Sequence, residues 1–138
     1  PFLVRDPDVE EGREVDALCQ SLDIMPTVLD SAGLPGPEHM NGISLHDHLC
    51  GETREEVRQD LYIEQRSHHT LRTPEYRLTV YPGHRMGELY DLQKDPHNFE
   101  NLWDDPEYGE VKDRLISRLV QKMYEDVVDP RFRKVGMC

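Results

Sequence analysis

Seven histidines and 28 acidic residues are the side chains of this sequence best suited to chemistry. Two histidine pairs stand close together, His46 with His48 and His68 with His69. A zinc site needs ligands that converge, one turn apart on a helix or on one face of a strand. Residues two apart on a helix diverge, and neighbours on a strand point to opposite faces. The spacing therefore argues against a metal site built wholly from this chain.

Acidic residues cluster after residue 90, at Asp91, Asp95, Asp104, Asp105 and Glu107. The cluster lacks the alternating ligands, central glycine and terminal glutamate of a helix–loop–helix calcium site. The sequence also has no glycine-rich phosphate loop and no Gly-x-Ser-x-Gly nucleophile turn. We interpret the cluster as solvated acids, and these residues by themselves indicate no reaction.

The three cysteines, Cys19, Cys50 and Cys138, are odd in number and lack Cys-x-x-Cys spacing. They indicate free thiols, and we expect Cys19 and Cys50 to be buried. The net charge of −12 opposes nucleic-acid binding, which requires clustered Lys and Arg. No apolar run approaches the roughly 18 residues that cross a bilayer, so we expect no membrane partner. Cytoplasmic and periplasmic locations both stay open.

Residues 1–60 predict a segment with two short helices, Asp23–Ala32 and Ser44–Cys50. Asp23 and Ser44 are candidate N-caps because their side-chain oxygens can accept from the free amides of a first helical turn. The remaining patterns of this segment predict strands at Pro1–Arg5 and Val15–Cys19, an exposed loop at Asp6–Glu14 and a charged, solvated link at Glu52–Asp60.

Residues 61–128 predict an α+β arrangement, a small antiparallel sheet of about four strands packed against a long C-terminal helix. The strands are expected at Leu61–Glu64, Leu71–Thr73, Tyr76–Tyr81 and Glu88–Leu92. In the third strand, Leu78 falls on one face with Tyr76 and Val80, while Arg77 falls on the other with Thr79 and Tyr81.

The helix is expected at Pro106–Val127, with the sheet covering its apolar side. The predicted stripe consists of Val111, Leu115, Ile116, Leu119, Val120, Met123 and Val127. Residues 129–138 are predicted to be a mobile tail.

Six segments in a fixed order carry a family resemblance. They are Pro1–Arg5, Leu22–Leu34, Asn41–Leu45, Leu71–Arg77, Gly87–Leu92, and Asp95–Pro96 with Asn101–Leu102. They resemble a P-x-x-V-R strand, a D-I-x-P-T helix, a G-x-S-L turn, an R-T-x-x-[YW]-[KR] strand, an E-L-Y-D-L strand and a D-P…N-L segment. This order resembles the C-terminal part of the type I sulfatases, in the alkaline phosphatase superfamily. The resemblance implies a subdomain attached to an N-terminal catalytic domain of the same polypeptide.

The resemblance further implies sulfuric ester hydrolysis by the full-length enzyme, with a formylglycine nucleophile and calcium in the catalytic domain. Neither a C-x-P-x-R nor an S-x-P-x-R motif occurs here, since Cys19 is followed by Gln20 and Cys50 by Gly51. We therefore assign this chain no catalytic residue, no metal ligand and no cofactor, and we expect it to be inactive alone. The alternatives are a phosphonate or phosphodiester hydrolase of the same superfamily, and a free-standing acidic binding module.

The resemblance implies that this C-terminal part forms one wall of the substrate pocket. The resemblance makes Glu64, His68, His69 and Arg72 candidates for contacting a small sulfate-ester substrate. Arg72 or a histidine would pair with its anionic groups, although an ion pair between Glu64 and Arg72 across strands is an equal interpretation. Because Pro1–Arg5 reads as a strand made to join a larger sheet, we expect the chain alone to self-associate or to be marginally stable.

Overall fold

The computed structural model describes residues 2–7, 9, 12–37, 40–53 and 56–127, with side chains up to residue 125. The described chain forms two compact units, one within Pro1–Gln59 and the other within Asp60–Cys138. Cys138, the predicted tail and the side chain of Val127 lie outside the described residues.

Two short α-helices organise the first unit. Helix α1 spans Ile24–Ser31 after a 3₁₀ turn at Ser21–Asp23, and helix α2 spans His46–Cys50. Each is followed by a glycine in the left-handed region, Gly33 at φ 65° and Gly51 at φ 77°, where a Cβ would be strained. Both predicted helices are therefore confirmed, with ends that move by one or two residues.

Asp23 is a buried ion-pair partner rather than the side-chain cap of α1. Its carboxylate accepts from the backbone amides of Gln20 at 2.8 Å and Ile43 at 2.9 Å. Arg58 donates to both of its oxygens, at 2.5 and 2.7 Å. The prediction of a solvated link is wrong at Arg58, because its guanidinium neutralises a carboxylate that has no access to water.

Neither predicted strand of the first unit is found among the described residues. Residues 2–5 and 15–19 have no regular secondary structure. Phe2 and Val4 are each 43% exposed and Leu3 is 89% exposed. An apolar run becomes a strand only where it pairs with another strand, and within the described chain these segments have no such partner.

The second unit contains a four-stranded antiparallel sheet with strand order β1-β2-β3-β4. The strands are Leu61–Gln65 (β1), His68–Arg72 (β2), Tyr76–Val80 (β3) and Gly87–Asp91 (β4). Sequential neighbours pair throughout, so the sheet is a meander of hairpins. The predicted α+β class is confirmed, and β2 begins three residues earlier than predicted because its first residues pair with the end of β1.

Helix α3, Gly109–Val127, covers one face of this sheet and follows a 3₁₀ turn at Pro106–Tyr108. The core consists of Leu71, Leu78, Leu89, Leu115 and Leu119. Val111, Ile116 and Met123 pack against it, as the predicted stripe requires. Val120 is 44% exposed, so the prediction is wrong there: its position lies at the edge of the face that meets the sheet.

An ion-pair cluster joins the start of β1 to α3. Asp60 is 9% exposed, and Arg118 donates to its carboxylate at 2.5 and 3.3 Å. Lys122 Nζ lies 3.2 Å from the same carboxylate. The prediction that Asp60 belongs to a solvated link is wrong, because this carboxylate holds the two elements of the core together.

Candidate functional site

The side of the sheet opposite α3 carries most of its polar groups, and we call it the polar face. Strand side chains alternate between faces, and Leu71, Leu78 and Leu89 mark the side that α3 covers. The polar face therefore presents His68, Thr70, Arg72, Arg77, Thr79, Glu88 and Tyr90. Outward positions of a sheet in contact with solvent or a neighbour are where binding groups are expected.

A hydrogen-bonded network occupies the β3–β4 side of the polar face. Arg77 Nη2 donates to Glu88 Oε2 at 3.2 Å, and its guanidinium carbon lies 4.8 Å from the centre of the Tyr90 ring. The Tyr81 hydroxyl donates to Glu88 Oε1 at 2.6 Å, which raises the pKa of Tyr81. Alternation along β3 predicts Arg77 and Tyr81 on this face. The network with Glu88 was not predicted, although alternation along β4 places Glu88 on the same face.

Thr70 and Thr79 close the middle of the polar face. They lie directly opposite each other, with hydroxyl oxygens 2.9 Å apart and exposures of 8% and 4%. Each hydroxyl is satisfied by the other, so this pair stabilises the sheet. Side chains available to bind a ligand are therefore found at the two ends of the face, near His68 and near Arg72.

The β1–β2 hairpin holds three of the four predicted site residues. Glu64 and His69 occupy paired positions, and His69 Nδ1 lies 2.8 Å from the Tyr62 hydroxyl. Alternation puts these two on the α3 side of the sheet and His68 on the polar face. The His68 ring lies 5.6 Å from the ring of Tyr81. The hairpin thus brings Glu64 and His69 together and turns His68 away from them.

Arg72 lies at the opposite end of β2, about 13 Å along the strand from His68. Its partners in the register are Leu61 and Arg77. A cross-strand ion pair requires two residues on one face at opposed or diagonal positions. Glu64 lies on the other face, so the alternative interpretation of a Glu64–Arg72 ion pair is wrong.

A cavity of about 300 Å³ lies beside Arg72 at this end of the sheet. Its lining consists of Arg72, Pro74, Arg77, Leu92, Pro96 and Asn98. Burial, and then the charge of Arg77, lower the pKa of Arg72. The cavity therefore combines two arginines and an asparagine with three apolar residues, and most of its exposed surface is polar.

The predicted acidic cluster includes residues that hold backbone turns. Asp91 is 5% exposed, and its Oδ1 accepts from the amides of Gln93 and Lys94 at 3.2 Å each. Asp95 accepts from the amide of Glu100 at 2.9 Å. The interpretation as solvated acids is wrong for Asp91 and Asp95, because these carboxylates satisfy amides that the turns leave unpaired.

The first unit contains a second polar group around His46. Its Nδ1 lies 3.0 Å from Ser31 Oγ, and its Nε2 lies 3.5 Å from Cys50 Sγ. Burial, followed by nearby carboxylates, raises the pKa of the Cys50 thiol, which disfavours the nucleophilic thiolate. Cys19 and Cys50 are free thiols, and both are half-buried rather than buried as predicted.

In the part of the chain that the structure describes, no three His, Cys, Asp or Glu side chains converge on a position that would hold a metal ion. Nor does any helix of that part have the length and apolar character needed to cross a membrane.

Comparison with known families identifies the chain. The family model for the C-terminal region of N-sulphoglucosamine sulphohydrolase matches residues 1–125. The chain belongs to this family of sulfatase C-terminal domains. A Δ4,5-hexuronate-2-O-sulfatase of Bacteroides thetaiotaomicron is 33% identical to the sulfatase domain over 122 residues, 80% of this chain and 25% of the relative. The chain thus spans about a quarter of the length of the curated relatives it matches.

Solved structures show the same fold. A 2-O GAG sulfatase matches with a TM-score of 0.67 at 30% identity, over 79% of the sulfatase domain and 25% of that chain. A phosphonate monoester hydrolase from Silicibacter pomeroyi matches with a TM-score of 0.74 at 24% identity, over 93% and 29% of the two chains. The second match shows a shared fold alone. The family predicted from the six ordered segments is confirmed.

Proposed function

We propose that the full-length protein hydrolyses sulfate esters of sugars and that this sulfatase domain forms one wall of the substrate pocket. The family match over residues 1–125 is the observation that carries the reaction class. The similarity to a hexuronate-2-O-sulfatase supports a sulfated sugar as the substrate. The chain has no formylglycine motif, so an N-terminal catalytic domain would supply the formylglycine nucleophile and the calcium ion.

The β1–β2 hairpin is the proposed part of the wall that meets the sugar. Tyr62 orients the ring of His69, and Tyr81 packs on the ring of His68. An imidazole of fixed orientation can donate to a sulfate oxygen or accept from a sugar hydroxyl. Glu64 is exposed beside His69 and would accept from a hydroxyl.

Turnover by the full-length protein tests the reaction class. The substrates are a sulfated hexuronide, an aryl sulfate and an aryl phosphonate monoester. We expect kcat/KM to be higher for the two sulfate esters than for the phosphonate, and the 138-residue chain alone to turn over none of them. A preference for the phosphonate would support the phosphonate hydrolase alternative and overturn the sulfatase proposal.

The variant His69→Ala tests the wall. A group that binds the substrate equally in the ground state and the transition state affects KM and not kcat. We expect KM for the sulfated hexuronide to rise about tenfold, equivalent to roughly 1.4 kcal/mol, with kcat retained. His84→Ala, at an exposed position between β3 and β4, is the matched control and should change neither constant. An unchanged KM in His69→Ala would remove this residue from the pocket.

A further inference from the structure

Arg72 and Arg77 are directly opposed on neighbouring strands of the polar face. Like charges at directly opposed positions repel each other and destabilise a sheet. Burial, and then the nearby charge of Arg77, lower the pKa of Arg72. An oxyanion that contacts both guanidinium groups would convert this repulsion into attraction.

The two arginines differ in what they already bind. Arg77 is engaged with Glu88 and with the face of the Tyr90 ring, while its buried Nε donates to no described acceptor. Arg72 is half-buried, and no described side chain accepts a hydrogen bond from its guanidinium. An arginine presents five N–H donors in a planar fork that fits sulfate or carboxylate. Within the described part of the chain, the N–H donors of Arg72 are therefore available to a ligand.

The cavity beside this fork is the size of a small-ligand site. Its volume of about 300 Å³ exceeds that of a single ion and reaches the lower end of the range for small-molecule pockets. Pro74, Leu92 and Pro96 form its apolar walls. Asn98 completes the lining and is held at φ 58° with its Nδ2 donating to the Pro96 carbonyl at 3.2 Å. Three of the six lining residues, the two prolines and Asn98, thus have restricted backbones, which favours a preformed site.

We propose that this cavity binds the sulfate or carboxylate group of a small, sugar-sized molecule, with Arg72 as the main contact and Arg77 as the second. The inference develops the expectation that Arg72 pairs with an anionic group, and it rests on the proposed function for the sugar. Arginine recognises sulfate and carboxylate in the same way, so separate probes are needed to distinguish the two groups. Arg77, engaged with Glu88 and Tyr90, holds the second charge in place.

Calorimetric titration of the 138-residue chain tests the site with three probes. They are methyl glucuronide for a carboxylate, glucose 6-sulfate for a sulfate, and neutral glucose. We expect at least one charged sugar to bind, more weakly as salt is raised, and glucose to give no heat of binding. The stronger charged probe identifies the oxyanion. Equal binding of glucose, or no binding of either charged sugar, would overturn the inference.

Three variants assign the binding to Arg72. We expect Arg72→Gln to weaken the charged sugar at least about tenfold, and Arg72→Lys to weaken it less because it keeps the charge but loses the fork. Arg66→Gln, in the exposed β1–β2 turn of the same sheet, is the control and should bind as the parent does. Thermal unfolding checks that each variant is folded. If Arg72→Gln does not fold, the affinity of Arg72→Lys tests whether Arg72 binds the sugar.

Unchanged affinity in Arg72→Gln, or equal weakening in Arg66→Gln, would overturn the assignment. Either result would leave sulfate-ester hydrolysis intact, because that proposal is read from turnover by the full-length protein. Conversely, a lack of sulfate-ester hydrolysis by the full-length protein would not contradict binding of an oxyanion at Arg72.

Discussion

At the scale of single residues, Asp23 organises the first unit. Its hydrogen-bond donors come from three separate segments, at Gln20, Ile43 and Arg58. A buried carboxylate with this many partners ties distant parts of the chain to one point. The removal of one partner leaves the charge inside the protein without compensation.

We therefore expect Arg58→Met to lower the free energy of unfolding of the first unit by about 3 to 5 kcal/mol. Urea denaturation followed by circular dichroism measures the change. Arg66→Met, at an exposed position, is the control and should shift the free energy by no more than about 0.5 kcal/mol. A comparably small effect of Arg58→Met would mean that Asp23 is solvated or protonated when its partner is removed.

The carboxyls of Asp23 and Asp60 also determine the response to acid. Burial opposes ionisation of Asp23, but hydrogen bonds from Arg58 and two backbone amides outweigh it and hold its pKa below the ordinary value. Burial also raises the pKa of Asp60, but the hydrogen bonds and charges of Arg118 and Lys122 outweigh this effect and lower it. In the unfolded chain both groups take up protons near pH 4.

Between the lowered folded pKa values and about pH 4, the unfolded state binds more protons than the folded state. The stabilisation is therefore complete above this window and is lost as pH falls through the folded pKa. We expect the free energy of unfolding to decrease from about pH 5 to pH 3, and less steeply in Asp23→Asn. Asp113→Asn, exposed on α3, should retain the parent's slope. Identical slopes for Asp23→Asn and the parent would contradict the lowered pKa.

At the scale of elements, packing of α3 on the sheet holds the second unit together. Leu115 and Leu119 are 4% and 1% exposed, so truncation of either removes core contacts. We expect Leu115→Ala and Leu119→Ala each to destabilise the protein by about 2 to 5 kcal/mol, the usual range for a buried leucine. Denaturant midpoints measure this, with Arg114→Ala on the exposed side of α3 as the control. Unmoved midpoints would mean that α3 does not pack on the sheet.

The register of the sheet determines which side chains come together at the proposed sites. It sets Arg72 against Arg77 and Glu64 against His69. A shift of one residue would exchange the two faces and bury the arginines under α3. The leucines of the core therefore specify the arrangement of the cationic cavity, because their burial allows one register only.

At the scale of the whole molecule, the first unit exposes a large share of its apolar side chains. Met25 and Val28 on α1 are 60% and 61% exposed, and Leu22 is 54% exposed. Exposed apolar groups close together mark interaction surfaces. Since the curated relative is about four times as long as its match to this chain, we propose that the rest of the polypeptide covers this surface.

The 138-residue chain is accordingly expected to self-associate through α1, and not through a strand at Pro1–Arg5. Light scattering coupled to size exclusion should show oligomers that dissociate in a Met25→Asp, Val28→Asp double variant. Tyr124→Asp, at a position on α3 that is 68% exposed, is the control and should leave the oligomers unchanged. A stable monomer at high concentration would show that α1 needs no cover.

Patterns along the chain were enough to predict the family, the α+β class, the sheet and the long helix. Strand alternation around Leu78 and the helical stripe around Leu115 are local patterns. Each predicts which face of its strand or helix is buried. The ordered segments are likewise read along the chain without knowledge of its packing.

Which charged side chains contact each other was evident only from the folded structure. Arg58 finds Asp23 across 35 residues, and Arg72 faces Arg77 rather than Glu64. The run at residues 2–5 has the composition of a strand but forms none. Ion pairs, register and strand pairing join groups far apart in the chain, so no local pattern contains them, and they follow only when the whole core has formed.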